Sequence, residues 1–278
     1  MLEVDIKRSF AATQPVLLSV RFKVLKPQIL VVSGPSGSGK STFLKMLSGL
    51  LTPDEGIIQY NDVPWYSNGN SVEPKNRKLA YMFQEPSLFP NMTFRENLLF
   101  ASEENELWDE LLDVTEMKPF LDRYPGEMSG GQLQRADLVK CLVQKREFYL
   151  LDEPLSSLDE RIRKRIQSYL IEFQRSAQSM MIMVSHDSAE TLLMADSILL
   201  LGDDTSRFYS SKSQYISEQY VGKSNHAILF SKSIEEGIPY FDLLIGGRVV
   251  RERVNPDFFE QFKIGDQILI HLSIENQS

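Results

Sequence analysis

Ile29-Leu30-Val31-Val32-Ser33-Gly34-Pro35-Ser36-Gly37-Ser38-Gly39-Lys40-Ser41-Thr42 is the stretch on which the fold turns. An apolar run of strand length leads into a glycine loop, and a helical pattern, Phe43-Leu44-Lys45-Met46-Leu47-Ser48-Gly49-Leu50, follows it. Strand, glycine loop and helix together are the context of a phosphate-binding loop. Gly34, Gly37 and Gly39 let backbone N–H groups converge on phosphate oxygens with no Cβ in the way. The helix N-terminus adds partial positive charge. Lys40 is placed to reach β- and γ-phosphates and the Ser41 hydroxyl to bind Mg²⁺. A Gly/Ser-rich surface turn explains the loop in isolation, but not its companions further along.

The composition around this loop is that of an ordinary globular protein. Across 278 residues the net charge is −8, which argues against a broad basic face for nucleic acid. Such a length suits one large domain or two smaller ones. The single cysteine, Cys141, excludes an internal disulfide, fits a reducing compartment and reads as a small buried hydrophobe. Met1-Leu2-Glu3-Val4-Asp5 lacks the basic start and apolar core of a signal peptide. No run approaches the ~20 apolar residues that cross a bilayer. The expectation is a soluble chain whose membrane role comes through a partner.

Residues 1–8 and 16–24 read as strands, and Ile57-Ile58-Gln59-Tyr60 as another after the turn Pro53-Asp54-Glu55-Gly56. Residues 61–76 read as loop. Leu79–Phe83, Phe148–Leu151, Met180–Val184 and Ile198–Leu201 are continuous apolar runs, as in strands buried on both faces of a parallel sheet. Ile162, Ile166, Leu170 and Phe173 recur at helical spacing, with Arg161, Arg163, Lys164 and Arg165 on the solvated faces. Alternating strands and helices predict an α/β domain. Residues 84–128 interrupt it with helices expected near 93–100 and 104–114. Residues 203–224 read as a connector. From about residue 225, strands near 240–245, 248–253 and 267–273, punctuated by Gly246-Gly247 and Gly265-Asp266, predict a small all-β unit. The domains expected are 1–222 and 223–278.

Phe148-Tyr149-Leu150-Leu151-Asp152-Glu153 is a buried strand ending in two acids, and acids at a strand's end face a crevice because charge is costly inside a sheet. With the phosphate loop, Asp152 is placed for the Mg²⁺ shell and Glu153 as general base for an attacking water. In Met128-Ser129-Gly130-Gly131-Gln132-Leu133-Gln134-Arg135, Ser129 reads as a helix N-cap. The glycines beside it build a second anion site at a helix start. One γ-phosphate needs one such loop, so the second implies a nucleotide shared between two subunits.

In order, the chain shows Gly34-to-Ser41, Gln84 after a strand, Ser129-Gly130-Gly131-Gln132, Asp152-Glu153, Ser157-Leu158-Asp159 and His186 in Val184-Ser185-His186-Asp187. Over about residues 1–210 it resembles the ATPase subunit of an ABC transporter, a P-loop NTPase domain with a helical insertion. The resemblance implies ATP and Mg²⁺ as cofactors, bound by Gly34, Pro35, Ser36, Gly37, Ser38, Gly39, Lys40, Ser41 and Thr42. It implies that Gln84 senses Mg²⁺ and nucleotide, and that Ser129, Gly130, Gly131 and Gln132 close over the ATP of a homodimer partner. It makes Asp152 the Walker B acid, Glu153 the catalytic glutamate, Asp159 a residue of the dimer seam and His186 the contact to γ-phosphate. An aromatic residue near the N-terminus usually stacks on adenine, and Phe10 is the candidate. Met128 stands where leucine is usual, a change of little volume.

Integral-membrane permease subunits are the implied partners, docking near residues 84–128 on apolar residues such as Leu88, Phe89 and Phe94. A solute-binding protein is an indirect partner, and the chain is placed peripherally at the cytoplasmic face of the membrane. The tail, Phe241 to Ile268, resembles the TOBE or Mop module, with Arg248 and Lys263 as candidate anion contacts. With the compact ATPase, this points to import of molybdate or a related oxyanion. Sulfate, iron, sugar or polyamine import is the alternative, and a soluble non-transport ABC ATPase is less favoured because no basic extension or second cassette is present.

Overall fold

β1 (Leu2–Phe10) and β2 (Val16–Val24) pair antiparallel, Leu2 opposite Val24. Both bury alternate residues, Leu2, Val4 and Ile6 against Val20, Phe22 and Val24, the period of a half-buried sheet. The computed structural model describes the chain apart from residues 11–15, 105, 203–205, 221–225, 236, 246–247, 263–266 and 270–278, and without some side chains in strands and helices, Phe10 and Arg248 among them. β3 (Ile29–Ser33) feeds the glycine loop and α1 (Lys40–Ser48) leaves it. β4 (Glu55–Tyr60) pairs with β1, and β5 (Val63–Ser67) and β6 (Asn70–Ser71) complete a sheet of order β2-β1-β4-β5-β6. The loop expected over 61–76 is therefore corrected to two hairpins. Asn61-Asp62 (φ 48° and 64°) and Asn68-Gly69 (φ 48° and 85°) hold positive φ at both turn residues. That geometry matches the twist of paired strands, and Asn-Gly is its usual sequence.

The chain continues through β7 (Ala80–Met82), α2 (Phe94–Ala101), α3 (Glu106–Val114), α4 (Gly130–Leu142), β8 (Phe148–Asp152) and α5 (Glu160–Ala177). It then runs through β9 (Met180–Val184), α6 (Ser188–Met194), β10 (Ser197–Leu201), β11 (Ser206–Tyr209) and α7 (Lys212–Tyr220). The central sheet has the order β11-β10-β3-β9-β8-β7. All neighbours run parallel except the β10–β11 pair. Alternate residues feed two cores. Val31, Tyr149, Leu151, Met181 and Met183 pack with α2 to α5, whereas Leu30, Val32, Leu150 and Ile182 pack with α1 and the first sheet. The connector expected over 203–224 is corrected to an edge strand and a helix: Tyr209 is buried against Tyr215, their rings 5.1 Å apart.

In the insertion both expected helices are present. Thr93 and Glu96 form a reciprocal cap at the start of α2. That start is docked on the following segment, Phe94 N–H donating to Arg123 O and Arg95 N–H to Leu121 O. Phe94 is consequently fully buried, which corrects its reading as an exposed docking residue. Leu88 is partly buried against the same core. Phe89 and Phe100 are exposed, their rings edge-to-face at 4.8 Å. The basic cluster on α5 is more than a solvated face. Arg161 clasps Glu116 through both carboxylate oxygens at 2.6 and 2.8 Å, and Arg163 turns inward to backbone carbonyls.

The tail holds β12 (His226–Glu235), β13 (Ile238–Ile245), β14 (Arg248–Arg253), α8 (Pro256–Gln261) and β15 (Gln267–Leu269). Its antiparallel sheet has the order β14-β13-β12-β15 over a small core of Leu229, Phe241 and Leu243. The all-β expectation misses α8, which Asn255 caps and Pro256 opens, a standard helix start. The boundary at 222/223, Gly246-Gly247, Lys263 and Gly265-Asp266 lie outside the described residues. No helix among the described residues is long and apolar enough to cross a membrane.

Candidate functional site

β7, β8, β9 and β3 run parallel, so their carboxyl ends lie on one edge of the sheet. Gln84 follows β7, Asp152 ends β8 with Glu153 next, His186 follows β9, and the glycine loop follows β3. Open parallel sheets bind ligands at this edge, because strand carbonyls end there and helix N-termini begin. Residues more than a hundred positions apart in sequence thus meet without a long-range contact being written in either segment.

The loop is built for close approach. Gly34 has φ +146°, and a Cβ on it would lie 2.1 Å from the Leu201 carbonyl oxygen, so no other residue fits. Gly39 caps α1 in the left-handed region at φ +89°. At Gly37 a Cβ would meet nothing within 4 Å, so the loop's crest faces open space. Lys40 is buried, and its ammonium donates to the carbonyls of Gly34 and Pro35 at 2.9 and 2.8 Å, folded along the loop it is read to serve.

Asp152 shares the face of Phe148 and Leu150, toward α1, by strand alternation. The Ser41 hydroxyl lies near its carboxylate, whose Oδ1 is buried without a partner. Burial pushes this carboxyl above the usual range, and the nearby Ser41 hydroxyl opposes the shift. An orphaned buried carboxylate oxygen beside a hydroxyl is an oxygen donor pair that suits Mg²⁺, which takes one or two protein ligands and completes its shell with phosphate and water. Glu153 sits at φ +52°, unusual for a residue with a Cβ and found where surroundings impose a conformation. Its two carboxylate oxygens face different partners, Gln84 Nε2 at 3.5 Å and His186 Nδ1 at 3.5 Å.

A second cluster opens α4. The Ser129 hydroxyl accepts from Gln132 N–H at 3.4 Å, and the Gln132 side chain accepts from Ser129 N–H at 2.8 Å. Gly130 and Gly131 form the first turn, where helix N–H groups have no intrahelical acceptor. Asp159 caps α5, accepting from Ile162 N–H at 3.1 Å, a bond that holds its carboxyl below the usual range. Phe10 ends β1, with its side chain outside those described.

Sequence reading passes over Gln134, Arg77 and Asn97. Gln134, Asp137, Leu138 and Cys141 occupy one buried stripe of α4, and a polar residue on such a stripe is the signal that was available. Asn97 is fully buried and binds Phe89 N–H at 2.7 Å and the carbonyls of Phe89, Met92 and Thr93, which fixes the backbone that presents Phe89.

The family model described as ABC transporter matches residues 17–156. The chain belongs to the ABC transporter family. It is 34% identical over 206 residues to an sn-glycerol-3-phosphate import ATP-binding protein of Rhizobium johnstonii, covering 71% of this chain and 58% of that one. It is 34% identical to a probable sulfate/thiosulfate import ATP-binding protein of Chlorella vulgaris, covering 71% and 85%. A spermidine/putrescine import ATP-binding protein of Chromobacterium violaceum is also 34% identical, covering 81% and 65%. The chain thus spans little more than half the length of the glycerol-phosphate relative. Among solved structures, a dimeric bacterial ABC transporter cassette superposes with TM-score 0.65 at 22% identity, covering 75% of this chain and 98% of that one. The ATP-binding subunit of an ABC transporter gives TM-score 0.65 at 24% identity, covering 79% and 93%. These likenesses establish the ABC ATPase fold, to which the parallel sheet, the glycine loop and the helical insertion belong.

Proposed function

We propose that this ABC protein is the ATP-hydrolysing subunit of a membrane importer. The carrying observation is the sheet edge on which Lys40, Ser41, Asp152 and Glu153 meet, with Gln84 and His186 on either oxygen of Glu153. Phosphoryl transfer to water needs positioning and charge neutralisation more than covalent chemistry. Lys40 would leave the carbonyls of Gly34 and Pro35 for the β- and γ-phosphates, and the N–H groups of residues 34–42 would cradle them. Ser41, Asp152 and Gln84 would hold Mg²⁺, which would supply charge neutralisation at the phosphates. Water attacks the γ-phosphorus as its bond to the bridging oxygen breaks, Glu153 takes the water's proton, and His186 orients the γ-phosphate. Phe10 is the proposed adenine contact.

A homodimer completes each site: the loop of one protomer faces Ser129, Gly130, Gly131 and Gln132 of its partner, with Asp159 at the seam. The support is two anion-suited helix starts in one chain for one γ-phosphate per site. The protein would sit at the cytoplasmic face of the membrane, bound to permease subunits and through them to a solute-binding protein, with no nucleic-acid partner. Docking on the insertion is supported by exposed Phe89, Leu99 and Phe100. Phe100→Asp is expected to leave ATPase of the isolated protein within about twofold and to lower uptake by the reconstituted transporter at least about tenfold, the loss of an apolar anchor from a groove. Undiminished uptake would move the docking surface elsewhere.

For cargo, the proposal is molybdate or a related oxyanion, supported by the tail's resemblance to an oxyanion-binding module. The names of the relatives point instead to sulfate or thiosulfate, glycerol phosphate and polyamines. Titration calorimetry of the full-length protein against molybdate, tungstate and sulfate is expected to give heat with the first two. No heat with any, and ATPase unchanged across the molybdate range, would leave the tail a dimerisation element and return the cargo to the alternatives.

A further inference from the structure

Gln84 and His186 approach the Glu153 carboxylate only at 3.5 Å, the long limit of hydrogen bonding, so they do not by themselves fix it. The side chain's direction is set by its backbone, and that backbone is at φ +52°, a conformation that costs of order 1–3 kcal/mol and persists only where surroundings impose it. The imposing group is visible. Gln134, buried on α4, donates through Nε2 to the Glu153 carbonyl at 2.8 Å and to Ser156 Oγ at 3.0 Å, and its Oε1 accepts from Ser157 N–H at 2.9 Å. One amide thus spends both N–H groups and its carbonyl on a single five-residue turn. Arg163 holds the middle of that turn and the residue just past it, through Leu155 O at 3.3 Å and Leu158 O at 2.6 Å. The start of α4 abuts it as well: a Cβ on Gly131 would lie 3.1 Å from Ser157 O.

We propose that Gln134 is a positioning residue for hydrolysis, holding the turn that aims Glu153 and tying this acid rigidly to the helix whose first turn caps the partner's nucleotide. The proposal rests on the reading of Glu153 as general base and of Ser129–Gln132 as the site presented across the dimer. Its mechanical content is that α4 cannot shift at the partner's phosphate without pulling on the Glu153 carbonyl. One ATP site thereby reports to the other through the bonds of this side chain.

The test uses the full-length protein with Mg·ATP. Gln134→Leu keeps the volume and removes all three bonds. The expected result is a kcat about 100-fold lower, the cost of a small misplacement of a reacting group, with KM for ATP and ATP-driven dimerisation within about twofold. Gln134→Glu adds a chemical readout and serves where the leucine variant fails to fold. Its protonated carboxyl can donate to the Glu153 carbonyl and its carboxylate cannot. Burial at position 134 raises such a carboxyl from its ordinary value of about 4.3 toward neutrality, so the ratio of variant to wild-type kcat is expected to fall at least about tenfold between pH 6 and pH 9. A leucine variant with kcat within about threefold of wild type, or with the loss confined to KM, overturns the proposal. So does a flat ratio near one for the glutamate variant when the leucine variant does not fold. Glu153→Gln in parallel separates the two readings: turnover surviving in that variant indicts the base assignment rather than Gln134.

Discussion

Glu153→Gln is expected to stop turnover and leave nucleotide binding intact. The substitution keeps the shape of the side chain and its reach toward Gln84 and His186, and removes only the ability to accept water's proton. Loss of a general base costs about 10²–10⁴-fold in rate. The groups read to bind phosphate and Mg²⁺, Lys40, Ser41 and Asp152, are untouched, so ATP should accumulate between protomers and hold the dimer closed. Phosphate release and gel filtration with Mg·ATP check both halves. A variant that hydrolyses within about threefold of wild type would remove Glu153 from its role. A variant that neither turns over nor dimerises would place the defect in assembly.

Arg77→Met is expected to be the most destabilising single change outside the apolar cores. The Arg77 side chain is 3% exposed, and burial pushes its guanidinium pKa down to about 10, still charged at neutral pH. It donates to Met46 O and Leu47 O at 2.9 and 2.6 Å, closing the last turn of α1, and to Trp65 O, Val72 O and Ser71 Oγ at 3.0 to 3.1 Å. The negative end of the helix dipole and three strand-side acceptors replace a carboxylate partner. Gly49 exists to admit it, since a Cβ there would lie 2.8 Å from Arg77 Nε. Methionine fills the space and removes all five bonds; Met46 O and Trp65 O keep the N–H groups of Gly49 and Val72, but Leu47 O and Val72 O lose their donor, a loss of about 3–5 kcal/mol. For a domain of this size that lowers the melting temperature by roughly 6–20 °C. Lys40 opens the helix that Arg77 closes, about 13 Å away along its axis, so ATP affinity should fall as well. A melting temperature within about 2 °C of wild type would show that the carbonyls find other donors.

Much of the site is legible before folding because its signals are local. The strand–glycine–helix order, the two acids ending an apolar run and the cap at Ser129 each depend on residues within a few positions of one another. The hairpins at Asn61-Asp62 and Asn68-Gly69 are equally local, yet their sequence reads as loop because Val63–Ser67 is short and interrupted by Pro64 and polar residues surround it. Phe94 and Phe100 look alike in sequence. Phe94 is buried because the start of α2 is hydrogen-bonded beneath residues 121–123, while Phe100 lies on the other side of the same helix.

Since periodicity, capping and turn geometry act over neighbouring residues, most of the elements, their buried faces and the chemical kinds of residue at their ends are thus legible in the sequence, though not β5, β6, β11, β12, α7 or α8. The tertiary structure alone decided that β7, β8, β9 and β3 stand side by side, so that Gln84, Glu153 and His186 share one edge. It alone decided that Arg77 is buried and that Gln134 grips the turn behind Glu153. Strand order and side-chain partners across 19 to 69 positions depend on how the two apolar faces of the sheet are covered. A hydrophobic strand carries no label naming its neighbour, because burial is non-directional and rewards any close-packed arrangement.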